Sequence, residues 1–187
     1  MHFDHVGTNF LDFNDFLDQY KSASGLIVDL RHNHGGDFTF ALSEMGRLTN
    51  EKRYVFRSRT KNGKSRYAFT EWANWYLEPR APYVNKPIIV LIDRYTISAA
   101  ERAVMAFKSL PNVRLMGDTT NGAQGTMIGR VLANGWYFSV VPQKVEMFDG
   151  HSYEGLGIAP DIVFKNDLED MRSGKDEMLE AAVAILE

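Results

Sequence analysis

Three short segments of this chain carry the residue types that acyl transfer requires. Ser98 lies in Tyr95-Thr96-Ile97-Ser98-Ala99-Ala100-Glu101, and Glu154 lies in Tyr153-Glu154-Gly155-Leu156-Gly157-Ile158-Ala159-Pro160-Asp161. The paired Gly35-Gly36 ends an apolar run that begins at Gly25. Acyl transfer needs a hydroxyl nucleophile, amides that hold an oxyanion, and a carboxylate that orients or tunes a base. Glycine suits the second task, because no Cβ shields its N–H.

Each segment also has a plain reading. Ser98 opens a Ser-x-x-Glu capping box, which local helix capping alone explains. Small neighbours at Ala99 and Ala100 weigh the other way. So does the place of Ser98 after a buried strand, where α/β folds site their ligands. Gly35-Gly36 suits a turn into the next helix. Glu154 suits a surface carboxylate, though the Pro160-Asp161 turn beyond it favours a positioned one. His32 and His34 form a His-x-His pair that suggests metal, but no third ligand is evident and no metal is expected. Asn62-Gly63-Lys64-Ser65 resembles the end of a phosphate loop. The earlier glycine which that motif needs is Ser58, so the segment reads as a hairpin turn.

Elements follow from apolar spacing. Residues 9–22 carry Phe10, Phe13, Phe16, Leu17 and Tyr20 at helical intervals. The run 26–30 suits a strand buried on both faces, as does 87–92, with a third buried strand at 113–116. Helices are expected over 38–48, capped by Asp37, and over 96–110. Strands at 52–60 and 65–69 are expected across the 61–64 turn. A hairpin of 126–132 and 136–141 is expected across Asn134-Gly135. The tail 170–186 is amphipathic, with Met178, Leu179, Ala182, Val183 and Leu186 on one stripe. Six of the twelve phenylalanines precede residue 41, which reads as helix-on-sheet core. The alternation of strands and helices predicts an α/β core.

The 187 residues fit one domain. A hydrophobic fraction of 44% supports a sizeable core, and a net charge of −3 gives no electrostatic case for nucleic acid. No apolar run approaches the ~20 residues that span a bilayer. With no cysteine there is no disulfide framework, thiolate zinc site or cysteine nucleophile. Such chains suit an oxidising bacterial envelope or periplasm and occur in cytosol too.

Four motifs in order carry a family resemblance: Leu26-Ile-Val-Asp-Leu-Arg-x-Asn-x-Gly-Gly36, Thr96-x-Ser-Ala-Ala-Glu101, Gly117-Asp-Thr-Thr-Asn-Gly122, and Glu154-Gly-x-Gly-Ile-x-Pro-Asp161. Together they resemble the C-terminal processing peptidases, in the tricorn-like branch with cores like those of interphotoreceptor retinoid-binding protein. The resemblance implies a ClpP/crotonase-like core of repeated ββα units, with no PDZ-like insert in this chain. It implies Ser98 as nucleophile, the amides of Gly36 and Ala99 as oxyanion hole, and Glu154 as the carboxylate of a Ser/His/Glu site. The branch that uses a lysine base has it where this chain has Ala123, so that dyad is excluded. The other branch takes a histidine from a region N-terminal to the core. On that reading the chain is expected to be a fragment whose base lies in an upstream domain or a neighbouring subunit, and to be inactive alone. Asp149-Gly150-His151 is then a turn. Polypeptides or C-terminal segments are the implied substrates, with no cofactor and a homo-oligomer as one arrangement. A non-catalytic binding module on the same fold is the alternative, and an acyl-CoA enzyme of crotonase type a third.

Overall fold

The computed structural model describes residues 1–3, 6, 12–165, 167, 169 and 172–187. Its centre is a parallel sheet in the order β1 (Leu26–Asp29), β4 (Ile88–Ile92), β5 (Val113–Gly117), β9 (Ile162–Val163). All five residues of β4 are buried, because both faces of the sheet are covered. Alternation decides which face each side chain meets. Ile88, Val90 and Ile92 join the main core with Phe3, Phe13, Ala103, Val104 and Phe107. Ile89 and Leu91 face the other way, onto Met116 and onto Met178 and Ala182 of α4 (Glu177–Leu186).

The remaining helices are α1 (Phe13–Gln19), α2 (Phe38–Glu44) and α3 (Ala99–Lys108). Asp37 caps α2, its carboxylate accepting the Thr39 N–H. A 3₁₀ turn, Met45–Leu48, completes the helix expected over 38–48. The helix expected over 9–22 is seen as α1, and residues 9–11 lie outside the described residues, as do 170–171 of the expected tail helix. Phe40 is 38% exposed, so not every early phenylalanine is core.

A second, antiparallel sheet runs β3 (Ala73–Leu77), β2 (Arg53–Thr60), β8 (Gln143–Met147). The strand expected at 65–69 is not formed. Only a single bridge, Lys61 to Phe69, occurs there, and the chain returns along β2 at residue 73. The Asn62-Gly63 signal marks a turn, but the loop it opens is long. Strands β8 and β9 have no counterpart among the expected elements. The hairpin of β6 (Ile128–Val131) and β7 (Tyr137–Val140) forms across Asn134-Gly135 as expected, shorter at both ends. No helix among the described residues is long and apolar enough to cross a membrane.

The first residues of the chain dock beside β1. The Asp29 N–H donates to the Met1 carbonyl (2.7 Å) and the Phe3 N–H to the Asp29 carbonyl (2.9 Å). The Val6 N–H then donates to the Gly35 carbonyl (2.7 Å), and the Val6 carbonyl accepts from the Asp37 N–H (2.7 Å).

Candidate active site

The loops that follow β1, β4 and β5 converge at the carboxyl ends of the parallel strands, where α/β folds site their ligands. Asn33, fully buried, ties the first loop down. Its Nδ2 donates to the Phe3 carbonyl (2.7 Å), its Oδ1 accepts from Gly35 N–H (2.9 Å), and its carbonyl accepts from Ile97 N–H (3.0 Å). Asp93 ties the second. Its Oδ1 accepts from the N–H groups of His32, Tyr95 and Thr96 at 3.1, 2.9 and 2.9 Å. Thr96, also buried, donates its hydroxyl to the Leu30 carbonyl (2.9 Å).

These ties press Gly35 onto Ser98. Gly35 has φ +90°, and a Cβ placed there would stand 2.8 Å from Ser98 Cβ and 3.0 Å from Ala99 N. Ser98 is the N-cap of α3, at φ 62° and ψ −123°. That conformation is costly for a residue with a Cβ and holds only where its surroundings enforce it. Strained strand-to-helix turns of this kind carry the serine nucleophile in α/β-hydrolases. Among the described residues neither the Gly36 N–H nor the Ala99 N–H donates a hydrogen bond. Gly35, the residue before Gly36, is thus set directly against Ser98 and Ala99.

Glu101 is the residue whose reach sequence reasoning missed. In the sequence it is the distal half of a capping box, and its Oε2 does accept from Ser98 N–H, at 3.3 Å. Yet the carboxylate is fully buried and spans three further donors. These are the Thr120 hydroxyl (2.7 Å), Gly122 N–H (2.8 Å) and Ala123 N–H (2.8 Å). Burial raises its pKa, against the pull of those donors. The Ser98 N–H also donates to the Ala123 carbonyl (3.1 Å), so the serine turn is tied to the 117–125 loop by its own backbone as well as by Glu101.

Glu154 grips the same loop from outside. Its Oε2 accepts from Gln124 N–H and Gly125 N–H, both at 2.9 Å. Arg102 holds the other side of Gln124, donating to its carbonyl at 3.1 and 2.9 Å. The Arg102 guanidinium lies over Phe38 (4.4 Å) and also donates to Gln143 Oε1. Burial lowers its pKa to about 10, with Glu154 opposing the shift. Glu154 therefore meets Ser98 through the Ala123-Gln124 backbone rather than directly. Arg102 carries no local motif that would mark it, and Asn33, though part of the first family motif, is given no role by it.

The histidines divide clearly. His2 Nδ1 is 3.4 Å from Asp29, His151 Nδ1 is 3.6 Å from Asp149, and His32 stacks on Tyr95 with Nε2 3.3 Å from Asp93. His34 is exposed beside Gly35. His5 lies outside the described residues. Lys144 Nζ sits over Phe69 at 5.1 Å.

A parallel α/β sheet with a strained serine turn and a glycine loop pressed against it defines a hydrolase-type core. Residues 3–164 match the model of peptidase family S41, and the chain belongs to that family. It is 28% identical over 161 residues to the carboxy-terminal processing protease CtpA of Bacillus subtilis, covering 85% of this chain and 32% of that protein. It is 29% identical over 183 residues to the tricorn protease of Thermoplasma volcanium, covering 94% of this chain and 16% of that one. A crystal structure from Parabacteroides merdae, of a protein provisionally described as a peptidase, superposes with TM-score 0.87 at 29% identity, covering 99% of this chain and 59% of that chain. The family is one of serine peptidases, and the fold is its mixed α/β core. The chain spans 14% to 52% of the length of these and the other curated relatives compared.

Proposed function

We propose that this chain is a serine peptidase core in which Ser98 attacks the scissile carbonyl of a polypeptide. The observation that carries the reading is the packing of Gly35 on Ser98 Cβ beside two N–H groups, of Gly36 and Ala99, that donate to nothing in the described residues. Those amides would receive the oxyanion of the tetrahedral intermediate. Glu154 would fix the loop beneath the nucleophile with one carboxylate oxygen and leave the other to orient the base.

For the base we propose His5. The assignment rests on its neighbours in sequence. Phe3 accepts from Asn33, and Val6, one residue beyond His5, is hydrogen-bonded to the Gly35–Asp37 turn. The other reading is a histidine supplied from outside the chain, by a further domain or a second subunit. A His5 base would take the Ser98 proton during attack and return it to the leaving amine. Polypeptide substrates follow from what the relatives are named for.

The test is hydrolysis of unfolded casein. With His5 as base, and in place of the inactive fragment that the resemblance implies, the parent chain should cleave it, and Ser98→Ala should reduce cleavage to background. Equal cleavage by both would remove Ser98 from the mechanism.

A further inference from the structure

Residues 52–70 contain seven of the chain's 21 lysines and arginines and no acidic residue, although the whole chain is net negative. The structure gathers three of these cations on one face of the second sheet. Arg57, Arg59 and Lys61 alternate along β2 and so share one face. Arg57 finds a partner, Glu146, at 2.8 and 2.6 Å. Arg59 does not. Its register partner on β8 is Lys144, a like charge. Like charges directly opposed across strands are destabilising.

The crowding tightens around one ring. The charged groups of Arg59, Lys61 and Lys144 lie 4.8, 5.0 and 5.1 Å from the centroid of Phe69. Arg59 also sits 4.4 Å over Trp72, and Arg66 lies 5.8 Å over Tyr67. Cation–π attraction offsets part of the repulsion. A cavity of about 410 Å3 opens here, lined by Arg59, Arg66, Tyr67, Phe69 and Lys144 with no carboxylate. Arg59 Nε is buried without a hydrogen-bond partner among the described residues. The cluster also adjoins the catalytic loop. Gly125, held by Glu154, packs against Gln143, the residue before Lys144.

We infer that this pocket is an exosite for an acidic segment of the polypeptide substrate, holding carboxylates between Arg59, Arg66 and Lys144. The inference rests on the peptidase reading and adds the substrate class it would retain. Planar guanidinium groups match carboxylates in paired hydrogen bonds, and Tyr67 and Phe69 supply an apolar wall for the intervening chain.

The test uses fluorescein-labelled hexaglutamate and hexaglutamine on the Ser98→Ala chain, read by anisotropy at low salt. Hexaglutamate should bind, hexaglutamine should not, and binding should weaken as salt rises. Arg59→Gln/Lys144→Gln should weaken hexaglutamate at least about tenfold, since it removes two of the converging charges. Arg66→Gln, on an exposed loop, should act in the same direction without touching the sheet. Equal binding of the two peptides, or no effect of either variant, would overturn the exosite. So would binding of inorganic tripolyphosphate with no binding of hexaglutamate, which would assign the pocket to a phosphate ligand. Because binding is read without Ser98, failure of the peptidase reading shows separately, as absent Ser98 chemistry in the parent chain.

Discussion

Gly35→Ala is expected to lower Ser98-dependent hydrolysis at least about 100-fold and to cost about 2–5 kcal/mol of stability. Two costs combine. At φ +90° a side chain meets the left-handed penalty of an L-residue. The new methyl would also stand 2.8 Å from Ser98 Cβ and 3.0 Å from both Ala99 N and the Ile97 carbonyl, none of them a flexible tip. One side must shift, and either shift moves Ser98 relative to the amides beside it. Chemical denaturation gives the stability change, and peptide hydrolysis gives the rate. A Gly35→Ala chain with parental kcat/KM would show that the glycine turn and the serine do not form one site.

Glu101→Gln should be nearly as damaging, at about 2–4 kcal/mol of stability with loss of activity. The carboxylate accepts four hydrogen bonds, from Ser98, Thr120, Gly122 and Ala123. A glutamine replaces one acceptor oxygen with an NH2 group that faces donors. Were Glu101 merely a helix cap, the loss would stay near ~1 kcal/mol and activity would persist. Its pH dependence has a definite sign. Burial raises the folded-state pKa above the ordinary carboxylate value, so the folded state binds the extra proton. Wild-type stability from this group is therefore greatest at acid pH. It is lost as pH rises from the ordinary value through the raised one. The stability gap between wild type and Glu101→Gln should narrow over that window, and a gap that widens would reverse the assignment.

Much of this site was legible because its signals are local. A serine between an apolar strand and small residues, and paired glycines after a strand, each declare a backbone geometry within a few positions. The bonds that join those segments were not legible. Glu101 already satisfied an i, i+3 pattern, so nothing in the sequence demanded that it reach residues 120–123. Arg102 and Asn33 are polar residues in the core that reach distant backbone groups, the Gln124 carbonyl and the Phe3 carbonyl, and backbone groups leave no mark in a sequence. The second sheet was half legible for a similar reason. Alternation gave β2, but the Asn62-Gly63 turn suggested an immediate return, while pairing waits until residue 73. β8 follows Pro142 so closely that it merged with the hairpin. The base was not legible either: the resemblance places it in an upstream domain or a neighbouring subunit, and the proposal of His5 rests on the hydrogen bond of Val6 to Gly35.

The most direct test of the account is the rate at which a fluorophosphonate probe labels Ser98 in single histidine variants. The parent chain should label and Ser98→Ala should not. His5→Ala should label at least about 100-fold more slowly, the range lost with a general base, while His34→Ala stays within a few-fold of the parent. His5→Ala labelling at the parental rate, or a parent chain that labels only after a histidine-bearing segment is added, would contradict it.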